Sequence, residues 1–152
     1  MKKISFSLNG EQRFVYITPN EILLDVLRYK MGTKSPKCGC DTGDCGACTI
    51  LLNGKAVRSC LIFAVEVESQ DIVTLEGISR DGLTPLQKAL IEHNAFQCGY
   101  CAPGMILSAT ELINSNPHPG EEEIKEAISG NLCRCTGYQP VIDAIKHATK
   151  KH

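Results

Sequence analysis

The chain has 152 residues, 16 of them basic and 17 acidic, for a formal net charge of −1. The two signs are interspersed and no apolar run nears the roughly 20 residues of a membrane span, which excludes a nucleic-acid-binding arm, a polybasic membrane patch and a transmembrane helix. Nine cysteines are the outlying number; without a signal peptide they read as metal ligands in a reducing cytoplasm rather than as a disulfide scaffold.

Met1-Lys2-Lys3 leads into Ile4, Phe6 and Leu8, which alternate as one face of a strand and not as the apolar core of a signal peptide. The expected location is therefore cytoplasmic. Asn9-Gly10 predicts a hairpin turn, with Arg13 to Thr18 as the return strand. Thr18-Pro19-Asn20-Glu21 has the form of a capping box with proline at the first helical position. Leu23, Val26, Leu27 and Met31 follow at helical spacing, and Gly32 stops that helix. A cysteine- and glycine-rich loop runs from Cys38 to Cys48. Thr49 to Leu52 and Ala56 to Cys60 form a second hairpin around Asn53-Gly54, and Asp71 to Leu75 a final strand. From about residue 83 the pattern turns helical. Thr84-Pro85-Leu86-Gln87 is a capping box, Pro103 opens a second helix, and Glu121 to Glu123 begin a third, which Gly130 ends. Pro140 opens a fourth, with Lys146, Lys150 and Lys151 as cations near its end. Four short amphipathic helices suggest a small bundle, with a hinge near Gly77 to Gly82.

Cys40-Asp41-Thr42-Gly43-Asp44-Cys45-Gly46-Ala47-Cys48, followed by Cys60, is C-x4-C-x2-C…C, the plant-type [2Fe–2S] spacing. Three thiolates from one loop must surround a compact anionic core, so the backbone has to wrap tightly. Gly39, Gly43 and Gly46 permit that wrap, and the loop can aim its amide N–H groups at sulfur. Structural zinc more usually takes two C-x2-C pairs, so the spacing favours iron–sulfur. Using Cys38 as a ligand would widen the four-residue gap, and it is read as a non-ligating thiol.

Cys98-Gly99-Tyr100-Cys101 and Cys133-Arg134-Cys135 form two further close pairs. Each sits just ahead of an expected helix, so a metal there would face two helix N-termini. Zinc and [2Fe–2S] both accept four cysteines, and the spacing leaves both open. His93 invites a Rieske-type reading, but four cysteines already fill the site, so it is taken as an ordinary residue near a helix end. His118 reads as a loop residue. Arg134 reads equally as a charge that tunes a cluster or meets a partner and as a solvated surface arginine.

Three segments together resemble the small iron–sulfur subunit of molybdenum hydroxylases: Gly39 to Thr49, Gln97-Cys98-Gly99-Tyr100-Cys101-Ala102-Pro103-Gly104-Met105, and Gly130-Asn131-Leu132-Cys133-Arg134-Cys135-Thr136-Gly137-Tyr138. That group includes xanthine dehydrogenase, nicotinate dehydrogenase, aldehyde oxidoreductase and aerobic carbon monoxide dehydrogenase. The resemblance spans almost the whole chain. It implies an α+β fold, with a β-grasp ferredoxin-like domain over residues 1–78 and an all-α four-helix-bundle domain over residues 79–152. It implies that Cys40, Cys45, Cys48 and Cys60 bind one [2Fe–2S] cluster. It resolves the second site likewise, with Cys98, Cys101, Cys133 and Cys135 as ligands. Gln97 and Cys135 inherit a contact with the molybdopterin of a large partner subunit. Cys38 departs from the common loop pattern.

The resemblance also implies a role. Electrons would pass between the molybdopterin centre and a flavin or external acceptor, one at a time, with FAD expected on a medium partner subunit and the complex able to dimerise. The substrate would be an N-heterocycle, purine, aldehyde or related small molecule. No nucleophile–base pair or phosphate loop stands in the sequence, so no substrate site is expected on this chain alone. A stand-alone ferredoxin carrier would need only the first half. A zinc-bound interaction module would be colourless.

Overall fold

The computed structural model describes residues 1–150, so the expectation for Lys151 lies outside the described residues. β1 (Lys2–Leu8) and β2 (Glu11–Ile17) form an antiparallel hairpin. Its turn residues Asn9 and Gly10 have φ of 53° and 80°, the geometry that matches the right-handed twist of the flanking strands. β3 (Thr49–Leu52) and β4 (Lys55–Arg58) repeat the device around Asn53-Gly54. β5 (Asp71–Val73) lies between the hairpins, parallel to β1 and antiparallel to β3, giving the order β2-β1-β5-β3-β4.

The first helix begins later than the capping box suggests. Ile22 forms an isolated antiparallel bridge with Phe63, which requires extended backbone at Ile22 (φ −78°, ψ 138°). Thr18 to Glu21 therefore closes a turn: the Glu21 N–H donates to the Thr18 carbonyl at 3.1 Å, and the Glu21 carboxylate ion-pairs with Lys30 at 2.6 Å. α1 (Leu23–Asp25) continues as a π-helical segment, Val26–Lys30. Leu23, Val26 and Leu27 join Ile4, Phe6, Ile17, Ile50 and Ile72 in the core of this half.

Two strand ends also differ from expectation. β4 stops at Arg58, and Cys60 sits in a 3₁₀ turn, Ser59–Leu61, whose Ser59 hydroxyl donates to the Cys48 carbonyl at 2.7 Å. β5 stops at Val73 because Asn9 captures Thr74, accepting its N–H at 2.8 Å and donating to its hydroxyl at 3.0 Å. Thr74 thereby becomes the residue ahead of α2 (Leu75–Ile78).

The helical half follows the expected starts. α3 (Pro85–Glu92) carries the Thr84/Gln87 capping box. α4 (Ala102–Ser115), α5 (Glu121–Ile128) and α6 (Gln139–Thr149) complete it, with Lys146 of α6 ion-paired to Glu121 of α5 at 2.8 Å. α4 is buried all round its first turns, from Pro103 to Ala109, because it has two partners. Met105, Ile106 and Ala109 face the helical core, while the same helix packs on β3 and β4. That contact brings the two cysteine-bearing halves together. Among the described residues no helix is long and apolar enough to cross a membrane.

Candidate iron–sulfur sites

The Cys38–Cys48 loop wraps as Gly43 and Gly46 predict, while Gly39 lies outside the positive-φ region and is instead a close approach to Cys45 Sγ. Asp41, Gly43 and Gly46 all take positive φ. Gly46 is also a point of close approach, where a Cβ would overlap the Gly130 carbonyl of the opposite half. The wrap turns amides toward sulfur: Thr42 and Cys45 direct N–H groups at Cys40 Sγ (3.4 and 3.3 Å), and Ala47 directs one at Cys45 Sγ (3.5 Å). Hydrogen bonds from the Thr42 side chain and from the Thr42 and Cys45 amides lower the Cys40 thiol to about 6. Cys48 and Cys60 are buried beside Leu24, with their sulfurs 3.4 Å apart. Burial, then the contact with Cys48, pushes Cys60 up to about 12.

The second group spans two interhelical loops. Cys101 is the residue ahead of α4, and the Cys133–Cys135 segment lies just before α6. Cys98 and Cys135 are exposed with their sulfurs 3.8 Å apart. Cys101 and Cys133 are half-buried and in side-chain contact. Burial, then that contact, raises Cys101 to about 12. Cys133 lies below the ordinary thiol range: burial opposes ionisation, and the Thr136 hydroxyl at 3.2 Å with nearby amides outweighs it. Gln97 donates to the Cys135 carbonyl at 3.0 Å, so both sit on the exposed rim of this group. Six of the eight thiols thus come together in pairs, and among the described residues no three His, Cys, Asp or Glu side chains converge as a single metal ion would need.

Two family models match the chain, a 2Fe-2S iron-sulfur cluster binding domain over residues 6–75 and a [2Fe-2S] binding domain over residues 74–146. The nicotinate dehydrogenase small FeS subunit of Eubacterium barkeri is 48% identical over 149 residues, covering 97% of this chain and 95% of the relative. The chain belongs to the iron–sulfur subunits of the molybdenum hydroxylases. A chain of quinoline 2-oxidoreductase from Pseudomonas putida 86 superposes with a TM-score of 0.94 at 45% identity, covering 97% of this chain and 93% of that one. The aldehyde oxidoreductase of Desulfovibrio desulfuricans ATCC 27774 matches with a TM-score of 0.94 at 44% identity, covering 98% of this chain but 17% of that one. As a molybdenum hydroxylase iron–sulfur subunit, the chain is the [2Fe–2S]-binding, electron-transferring part of a larger oxidoreductase. Its fold is the ferredoxin-like half plus helical half of that family.

The donor chemistry fits [2Fe–2S] binding: thiols are paired within each group, with amides aimed at sulfur in the first. Other cysteine and histidine positions fall outside both groups. Cys38 is exposed, and its carbonyl accepts from the Tyr100 hydroxyl at 2.6 Å. His93 ends α3 and meets His147 of α6, ring nitrogen to ring nitrogen, at 2.9 Å. Arg134 is exposed.

Several residues shape the sites in ways that neither spacing nor residue type shows, although Asn131 and Tyr138 lie within the third resembling segment. Asn131, 1% exposed, accepts from Ser108 and donates to the Gly46 carbonyl and the Thr49 hydroxyl. Tyr138, in left-handed backbone ahead of α6, accepts from the Cys133 N–H at 3.0 Å. Glu76 holds residues 34 and 35, at the root of the first loop, through two amides and the Ser35 hydroxyl. Asn131 and Glu76 act on segments far away in the chain, so their roles exist only after folding.

Proposed function

We propose that Cys40, Cys45, Cys48 and Cys60 hold one [2Fe–2S] cluster in a domain of residues 1–78. Cys98, Cys101, Cys133 and Cys135 hold a second in a domain of residues 79–152. The pairwise approach of the thiols carries this reading. A tetrahedral metal with bonds of about 2.3 Å keeps its sulfurs about 3.8 Å apart. The Cys98–Cys135 sulfur pair is 3.8 Å apart and the Cys48–Cys60 pair 3.4 Å. Two irons taking two thiolates each call for such pairs, whereas one zinc calls for all four to converge.

When bound, the two clusters supply one-electron carriers between the molybdopterin centre of the large partner subunit and a flavin or external acceptor. The chain's own residues set the conditions. The Thr42 and Cys45 amides that favour the Cys40 thiolate also offset negative charge at that sulfur. Cys60 and Cys101, held protonated by burial, must release protons when a metal binds. Gln97 and Cys135, linked on the exposed rim, contact the molybdopterin. An exposed thiol edge at Cys98 and Cys135 suits a site that a partner covers and not one that works alone.

Two of the relatives named above are a nicotinate dehydrogenase subunit and a quinoline oxidoreductase. A nitrogen heteroaromatic is accordingly the favoured substrate of the assembled enzyme, within the wider range of purines, aldehydes and related small molecules. FAD belongs to a separate medium subunit, the complex can dimerise, and its location is the cytoplasm. The test is the metal content of anaerobically prepared complex: four irons and four labile sulfides per chain are expected. Far less iron, with zinc making up the difference, overturns the reading.

A further inference from the structure

Arg58 lies at the seam between the two halves. One guanidinium nitrogen donates to the Thr49 hydroxyl at 3.0 Å and another to the Gly130 carbonyl at 2.6 Å. Its Nε is buried with no hydrogen-bond partner among the described residues. Both acceptors are neutral, and the ion pairs among the described residues do not include Arg58. A partly buried cation without a counter-charge is costly, and a missing partner of opposite sign is expected nearby.

The surroundings indicate where that charge would be. Thr49 follows Cys48 directly, Arg58 itself is two residues before Cys60, and Gly130 is three residues before Cys133. The guanidinium thus touches segments that lead to thiols of both groups. Room for it is built in: a Cβ on Gly130 would overlap Arg58 Nη2.

We propose that Arg58 is an electrostatic positioning residue whose counter-charges are the two clusters, so that it raises the reduction potential of both and most of all that of the Cys40–Cys60 cluster. This rests on the two-cluster reading above. Reduction adds one electron to an already anionic cluster. A fixed cation in a poorly hydrated seam stabilises the reduced form more than the oxidised one.

The test is an EPR-monitored redox titration of the intact complex carrying wild type, Arg58→Lys or Arg58→Met. Arg58→Met is expected to shift the reduction equilibrium of the Cys40–Cys60 cluster at least tenfold toward the oxidised form, which is 59 mV for one electron. A smaller shift of the same sign is expected at the other cluster. Arg58→Lys, which keeps the charge and loses the fork, is expected to stay within threefold of wild type. Gly130→Ala keeps the charge but displaces the guanidinium, so it is expected to move both midpoints in the Arg58→Met direction. It decides the matter if Arg58→Met does not assemble. Midpoints unmoved in Arg58→Met, or in Gly130→Ala where it alone assembles, overturn the proposal, as do equal shifts in the Lys and Met variants. Wild type with a single [2Fe–2S] signal overturns the two-cluster reading and this proposal with it; two wild-type signals that ignore the loss of charge overturn this proposal alone.

Discussion

The backbone N–H of Leu132 donates to the carbonyl oxygen of Cys45 at 2.8 Å. Cys45 is a proposed ligand of one cluster, and Leu132 is bonded to Cys133, a proposed ligand of the other. One hydrogen bond therefore joins the two cysteine loops through main-chain atoms, where side-chain substitution leaves it in place. Asn131 guards it from the side, tied to Gly46 and Thr49 across the same seam.

Because that link is main-chain, Cys45→Ser should act on one site only. The expected result is loss of one [2Fe–2S] EPR signal with the other retained. Loss of both signals, or of neither, would count against two independent sites.

Asn131→Leu removes the three hydrogen bonds Asn131 makes to Ser108, Gly46 and Thr49. The abandoned groups stay buried at the seam, so the variant should lose about 2–3 kcal/mol. Urea unfolding of the subunit provides the measurement. A change under 1 kcal/mol would mean that water satisfies the seam without the amide.

Glu76 gives a pH prediction. Burial opposes its ionisation, but the hydroxyls of Ser35 and Thr74 and the Ser35 amide outweigh it and bring the carboxyl to about 2. A depressed carboxyl stabilises the fold above its unfolded value of 4.5, and the gain fades as pH falls from there toward 2. Glu76 is partly exposed, so after allowance for solvent screening Glu76→Gln should cost about 1–2 kcal/mol at pH 7. Urea midpoints taken at several pH values should show the gap constant between pH 7 and 5 and closing below pH 4.5. A gap independent of pH would remove the carboxylate as its cause.

At the exposed rim, Cys135→Ala and Gln97→Ala should separate cluster assembly from electron arrival. The first should lose or alter the second cluster's signal and slow turnover of the complex. The second should leave both signals intact and slow only the reduction of the clusters by substrate, followed by stopped-flow absorbance. Unchanged cluster reduction in Gln97→Ala would defeat the proposed pterin contact.

Features whose causes lie within a few residues were legible in the sequence. The two Asn-Gly turns, the Thr84 capping box, the starts of α3 to α6 and the glycine wrap of the first loop depend on local dihedrals and local hydrogen bonds. The cysteine spacing carried the chemistry because metal ligation constrains which thiols one loop can offer. Tertiary structure alone decided the rest. Phe63 draws Ile22 into a bridge and delays α1, and Asn9 captures Thr74 and ends β5 early. Asn131 reaches Gly46 across 85 positions, and Arg58 is left at the seam outside the ion pairs among the described residues. A residue's pattern in the chain reports its own propensity; the partner that satisfies or overrides it is supplied only when distant segments are folded into contact.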